Sequence, residues 1–237
     1  MRRQTIRKLL LASVGLSVLA VSSAIAADIA PTRRYPMPKA PAYVPFFTWT
    51  GFYLGVNAGY GFGTSNWNAP AIGLTTGDFD ISGAVVGGTI GYNWQLGSTV
   101  LGVEGDIGWS GIKGSATCVG LLTCETSNSW LGTARGRIGY AFDRFLPYIT
   151  GGAAFGEIKG NASITGTPVF VDLVTKTQVG WTAGGGLEYG FGMNWTAKLE
   201  YLYVDLGSIE CPAASCLTTV DIDFRTHLVR GGLNYKF

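Results

Sequence analysis

The chain contains little charge, and this shortage limits what it can bind. Asp, Glu, Lys and Arg make up 14% of its residues, against about 25% in ordinary soluble domains. Four of the 17 basic residues lie within the first eight positions, and the other 13 face 15 acids. Because that balance provides no basic surface, we expect no nucleic-acid partner. The composition fits either a turn-rich soluble all-β protein or a protein whose exterior faces lipid.

Residues for catalysis and metal binding are also scarce. Histidine occurs once, as His227, and we interpret it as structural because it has no recognisable partner. The sequence has no nucleophile elbow, phosphate-binding loop or zinc motif. The four cysteines lack C-x₂-C spacing and have no histidine in the same predicted loop. We therefore expect no enzyme activity, no cofactor and no metal site.

Long apolar runs are absent after the first 26 residues, so a membrane-spanning form of this chain requires a closed barrel. Residues 1–26 combine a basic start, an apolar run over 9–21 and the small-x-small pattern Ala24-Ile25-Ala26. These features predict a secretory signal peptide cleaved before Ala27. A transmembrane anchor is the alternative, but the run is shorter than the ~20 residues that a spanning helix needs.

Residues 27–48 form a proline-rich segment, with Pro31, Pro36, Pro38, Pro41 and Pro45. Prolines at this density disfavour helix and central strand, which predicts an extended periplasmic lead-in. Its basic residues could contact peptidoglycan or anionic head groups, although a solvated tail is the simpler interpretation. The remaining residues, 49–237, are predicted to form an outer-membrane β-barrel.

An internal repeat predicts the number of strands. A tyrosine followed two residues later by another aromatic residue recurs at Tyr92, Tyr140, Tyr189 and Tyr235. The spacings are 48, 49 and 46 residues (140 − 92, 189 − 140 and 235 − 189). Each period suits two strands and one long connection, so four periods predict eight strands. Short connections follow the repeat near 97–98, 143–144 and 193–194, and long polar ones are expected at 64–78, 112–126, 159–176 and 207–220. Alternating short turns and long loops are typical of outer-membrane barrels, with the short turns in the periplasm.

Alternation within the predicted strands separates an apolar face from a polar one. In the seventh predicted strand, Trp195, Leu199 and Tyr201 share one face, while Lys198 and Glu200 lie on the other. A soluble lipocalin-like barrel would turn the apolar face inward. Aromatic residues clustered near strand ends, a polar face that mixes charges with glycines, and strands of ten or more residues all favour a barrel that faces lipid.

The polar face predicts a closed interior, because eight strands leave just enough room for side chains. The predicted lumen charge network contains Glu104, Asp106, Arg135, Arg137, Glu188, Lys198, Glu200, Arg230 and Lys236. Register arguments suggest Glu188 with Lys198, Glu104 with Arg137, and Asp106 with Arg135, since buried charges need partners. A catalytic or ion-conducting array is the alternative interpretation.

The cysteines fall in pairs within two predicted loops. Cys118 and Cys124 lie in the second long loop, and Cys211 and Cys216 in the fourth. An exported chain permits disulfides, and we favour the two local pairs, while cross-pairing between the loops remains open.

Three segments resemble a known family. WTGFYLGVNAGYG at 49–61, LPYITGG at 146–152 and GLNYKF at 232–237 are similar to the alphaproteobacterial RopB-type small outer-membrane proteins of the OmpA-like superfamily. The resemblance implies an all-β fold, an eight-stranded antiparallel up-and-down transmembrane β-barrel. It implies that Phe237 is an assembly signal read by the barrel assembly machinery. It also implies that outer-membrane lipid and lipopolysaccharide surround the barrel. Some relatives bind hemin or host surfaces, and no catalytic residue carries over.

The sequence therefore predicts an integral protein of the cell outer membrane with a structural envelope role and surface-exposed loops. A surface receptor or adhesin that binds hemin or host molecules is one alternative. A narrow, porin-like channel for small solutes is the other.

Overall fold

The computed structural model describes residues 47–69, 73–119, 122–164, 170–211 and 220–237. The predicted signal peptide and the lead-in up to residue 46 lie outside the described residues. Among the residues described, no helix has the length and apolar character needed to cross a bilayer.

Antiparallel strands form nearly all of this part of the chain. They are β1 (Gly51–Ala69), β2 (Leu74–Leu96), β3 (Thr99–Ser110), β4 (Lys113–Val119), β5 (Leu122–Tyr140), β6 (Phe145–Ile164), β7 (Phe170–Gly190), β8 (Trp195–Cys211) and β9 (Val220–Lys236). Consecutive strands pair with each other except β3 and β4, which both pair with β2 and β5, and β1 pairs with both β2 and β9. The sheet therefore closes into a ring, an up-and-down barrel without free edges.

Nine strands occupy eight positions around the ring. Both β3 and β4 lie between β2 and β5, and the chain is interrupted between them only at Gly111 and Ile112. The eight-stranded architecture is confirmed, with one of its strands broken in two.

The predicted long loops are the main correction to the strand boundaries. Nearly all the described residues of 64–78, 112–126, 159–176 and 207–220 belong to strands, and residues 70–72, 120–121, 165–169 and 212–219 lie outside the described part of the chain. These segments look polar because their outward side chains are polar, but their inward side chains form a core. We call this end of the barrel the loop end, and the end with the short turns the turn end.

The direction of the apolar face reverses along a single strand. Near the turn end of β9, Leu233 and Tyr235 point outward and are exposed, while Arg230 and Asn234 are buried. Near the loop end, Ile222 and Phe224 are buried instead, while Asp221, Asp223 and Arg225 point outward. The turn-end half thus presents apolar groups to lipid, and the loop-end half encloses them as a soluble barrel does.

The interior consequently has three layers. An apolar core fills the loop end, with Trp67, Ile81, Leu206 and Phe224 among its buried members. Ionised side chains occupy the middle, and a small aromatic and aliphatic cluster around Trp49 occupies the turn end. Both faces of β6 are apolar, so alternation in its sequence does not orient it. In the structure Ile149 points outward, and Leu146 and Tyr148 point inward.

Candidate functional site

The middle layer of the interior holds the charged residues singled out from the sequence. β3, β5, β7, β8 and β9 each carry one or two of them on the inward face, where period-two alternation places them. Their side chains are at most 5% exposed in every ion pair of this layer. This burial is what makes their pairing important, because an unpaired charge here would be costly.

Arg135 is the hub of the layer. Its guanidinium forms ion pairs with Glu104, with Asp106 Oδ2 at 2.9 Å and with Glu200 Oε1 at 2.9 Å. Arg230 joins two of the same carboxylates, at 2.8 Å from Asp106 Oδ1 and 2.7 Å from Glu200 Oε2. Two arginines and three acids are therefore locked together by charge-assisted contacts, the strongest class of hydrogen bond in proteins.

Glu104 extends the network towards the turn end. Its carboxylate accepts from Lys198 Nζ at 2.9 Å and lies 3.5 Å from Arg137 Nη1. Arg137 Nη2 in turn lies 2.9 Å from Glu188 Oε2. The result is one connected network, eight residues with four negative and four positive groups.

Two of the three pairs suggested from the sequence are ion pairs in the structure, Asp106 with Arg135 at 2.9 Å and Glu104 with Arg137 at 3.5 Å. The third pair, Glu188 with Lys198, does not form. Glu188 does lie opposite Lys198, but Lys198 binds Glu104 and Glu188 binds Arg137. On the other pair of strands, Glu104 lies opposite Arg135, two residues from the expected register, and Asp106 lies opposite Thr133. The long side chains reach across the lumen and diagonally, so strand register alone did not determine which charges pair.

Lys236 is the ninth predicted member, and the structure places it elsewhere. Its ammonium donates to the backbone oxygen of Thr48 and lies 4.7 Å from the centre of the Phe47 ring. It therefore belongs to the turn-end cluster rather than to the ion-pair network.

Neutral side chains complete the network, and the sequence interpretation missed them. Tyr53 donates to Glu104 Oε2 at 2.7 Å, and Tyr148 donates to Glu200 Oε1 at 2.9 Å. The Arg137 guanidinium lies over both tyrosine rings, at 5.2 Å and 4.9 Å from their centres. Tyr53 was detectable in principle, because it shares its face of β1 with small residues and asparagine.

Glycines provide the room for these long side chains. An added Cβ at Gly91 would collide with the Tyr53 side chain, and one at Gly102 would collide with Asn93 and press on Arg137. The inward glycines of β2 and β3 are thus needed for packing inside a narrow barrel.

The remaining predicted sites lie away from the lumen charges. His227 points outward, with Nδ1 2.7 Å from the Tyr201 hydroxyl and its ring stacked on Phe62 at 5.5 Å. Cys124 and Cys211 are disulfide-bonded, and the favoured pairing with Cys118 and Cys216 remains a prediction. Within the described ranges, no group of His, Cys, Asp or Glu side chains is arranged to hold a metal ion.

Chemically, the arrangement favours closure over reaction or transport. Every acid in the network contacts at least one base, and the lumen is filled by layers of side chains on both sides of it. Structural ion pairs of this kind are a common cause of buried charge clusters.

Comparison with known proteins matches this architecture. A sequence profile described as the outer membrane protein beta-barrel domain matches residues 36–237. The 31 kDa outer-membrane immunogenic protein of Brucella melitensis is 39% identical over 251 aligned residues, covering 98% of this chain and 100% of the relative. The 22 kDa outer membrane protein of Rhizobium leguminosarum is 36% identical, covering 69% of this chain and 67% of that protein. Among solved structures, the outer membrane protein OprG from Pseudomonas aeruginosa has a TM-score of 0.51 at 13% identity, covering 81% of this chain and 99% of OprG. That likeness concerns the fold alone.

Proposed function

Because the chain belongs to the outer membrane protein beta-barrel domain family and is an outer-membrane β-barrel protein, we propose that its role is structural. It is a sealed, rigid barrel that supports the envelope and holds its loops well away from the bilayer. No catalytic step is part of this role.

One observation carries the proposal: the strands extend far beyond the lipid-facing band and remain filled inside. β2 has 23 residues, which corresponds to roughly 50–60 Å along the barrel axis at the usual tilt. The apolar band of such barrels is only about 25 Å tall. The loop-end half therefore stands outside the hydrocarbon with its own apolar core.

A filled extension of this kind can act as a rigid support beyond the membrane surface. Buried side chains such as Ile209, Ile222 and Leu228 resist bending of the wall. The strand ends at its rim are thus held on a stiff support. Outer-membrane lipid and lipopolysaccharide are the proposed partners of the outer surface, and the assembly machinery is the proposed reader of Phe237.

Complementation of a deletion strain tests this role. We expect the deletion to increase detergent sensitivity and vesicle release. A barrel whose connections at 70–73, 165–169 and 212–219 are replaced by short Asn-Gly turns should restore both. A matched variant, Leu199→Arg, places a charge on the lipid face and should not restore them.

The alternative role, a receptor or adhesin for hemin or a host molecule, makes the opposite prediction. If the loop-replaced barrel is folded in the outer membrane but does not restore the phenotype, the structural proposal is wrong. Titration of folded protein with hemin, followed by its absorbance, then tests the receptor directly.

A further inference from the structure

The residues just before β1 fold across the turn end of the lumen. Trp49 is 1% exposed and packs against inward-facing Val100 and Leu146, with Phe47 packed against the same cluster. Gly51 makes this path possible: its φ of +144° is unfavourable for a side chain, and an added Cβ would lie 3.1 Å from the Phe237 carbonyl oxygen. The chain thus leaves the barrel wall at Gly51 and covers its mouth.

The covering segment is held from several sides of the ring. Trp49 donates its backbone N–H to Gln95 Oε1 at 2.8 Å, beside the β2–β3 turn. Its indole N–H donates to the Asp143 carbonyl at 2.9 Å, in the β5–β6 turn. Arg144 lies 5.8 Å from the centre of the Phe47 ring, and Lys236 on the last strand contacts both Phe47 and Thr48.

The covering segment also fits a matching space in the wall. An added Cβ at Gly190 would collide with the Phe47 ring. Phe47 therefore occupies room that β7 leaves open on its inward face. Phe47 and Trp49 stack edge to face, with ring centres 5.0 Å apart.

Directly above this segment lie buried polar atoms without hydrogen-bond partners. Among the described side chains, Asn234 Oδ1, Glu188 Oε2 and both Arg137 Nη atoms have none. Arg137 and Glu188 are close enough to attract each other but are poorly aligned, and Asn234 is 1% exposed. Buried polar atoms of this kind are usually satisfied by water.

We propose that residues 47–50 form a plug, hinged at Gly51, that opens to admit water and small polar solutes from the periplasm to the Arg137–Glu188–Asn234 layer. The rest of the ion-pair network, around Arg135 and Arg230, and the apolar core above it stay shut, so the opened lumen is a dead end and not a channel. The hydrogen bonds that hold the plug lie beside the turns, where local opening costs least.

A buried cysteine reports this opening. In Asn234→Cys, the new thiol lies above the plug, and its reaction with a small cationic methanethiosulfonate is followed on folded protein in micelles. The parent chain gives the background from its native cysteines. We expect slow labelling with the plug intact, and labelling about tenfold or more faster when Phe47→Ala and Trp49→Ala are added.

A matched control removes an aromatic ring just beyond the hinge. Phe52→Ala truncates an exposed side chain on the outer face of β1 and should leave the labelling rate unchanged. Gln95→Ala removes the acceptor of the Trp49 backbone N–H and of the Thr48 hydroxyl without touching the aromatic pair. It should accelerate labelling several-fold even if the double plug variant does not fold. Heat-modifiable gel mobility establishes folding in each case.

Three results would overturn the proposal. Equal labelling of the intact and altered plugs would show that the segment does not control access. Fast labelling with the intact plug would show that it is not a seal. Steady ion conductance of a plug variant in a planar bilayer would show that the lumen above is not closed.

Discussion

At the scale of single residues, Arg135 links opposite walls of the interior. It contacts three carboxylates that belong to two strands on opposite sides of the lumen. Removing Arg135 would destabilise the barrel mainly because the three acids would stay buried with fewer partners. The desolvation cost of these acids would then be only partly offset.

Replacing Arg135 with alanine should therefore destabilise the barrel strongly. We expect a loss of about 3–5 kcal/mol in the free energy of unfolding, since the change leaves buried carboxylates short of partners. Guanidinium titration of protein folded in phospholipid vesicles, followed by tryptophan fluorescence, measures it. Lys159→Ala is the control, because the Lys159–Glu157 pair is partly exposed and should cost less than about 1 kcal/mol.

The observed partners of Glu188 give a second prediction. A double-mutant cycle between Arg137 and Glu188 should show a coupling of about 1–3 kcal/mol, because the two groups are in direct contact. The cycle between Glu188 and Lys198, which are opposite in register but bind other groups, should show a smaller coupling. A larger coupling for the second cycle would mean that the charges pair by register in the membrane.

At the scale of the strand, the main feature is the reversal of the apolar face. Where a strand passes from lipid into water, its outward side chains must change from apolar to polar. In this barrel the inward side chains change at the same place, from polar to apolar. In β8 the exposed run from Trp195 to Tyr203 is followed by buried Leu206 and Ile209. The wall itself continues through this boundary, with only a register shift between Asp205 and Ser208.

Leu199 tests the assignment of the outer face. It lies in the middle of the exposed run of β8 and is 58% exposed, so it should face the centre of the hydrocarbon. Leu199→Arg should cost ~2–4 kcal/mol in vesicles. Ser208→Arg, on the same strand beyond the run, should cost ~0–1 kcal/mol. Equal costs at the two positions would contradict the placement of the membrane boundary.

At the scale of the whole molecule, three layers close the lumen by different means. Aromatic side chains cover the turn end, ion pairs fill the middle, and aliphatic side chains fill the loop end. Removing one layer leaves the other two, so closure does not depend on a single contact.

The intact protein should consequently show no stepwise conductance in planar bilayers at neutral pH. The physical reason is that side chains fill the lumen of an eight-stranded barrel and leave no water-filled passage wide enough for an ion. Arg135→Ala should remain non-conducting as well, because the apolar core above it is unchanged. Steady unitary currents from the intact protein would instead support the narrow-channel alternative.

The sequence by itself determined the closed antiparallel barrel, its eight positions, and the lipid-facing side of most strands. These follow from period-two alternation and from the repeat of tyrosines, which are local properties. It also placed eight of the nine predicted charges in the lumen layer, because alternation along a strand is enough to show which side chains point inward.

Only the tertiary structure decided the full set of ion pairs, where the strands end, and what covers the mouth. Lys198 reaches Glu104 across the lumen, a contact that depends on barrel diameter and side-chain length rather than on neighbours in the chain. The described residues of the predicted long loops belong mostly to strands, because polar side chains on the outer face conceal an apolar core within. Trp49 closes the turn end only because Gly51 turns the chain inward. A short segment of sequence shows which alternate residues of a strand point inward. It does not show contacts between residues that are far apart in the chain.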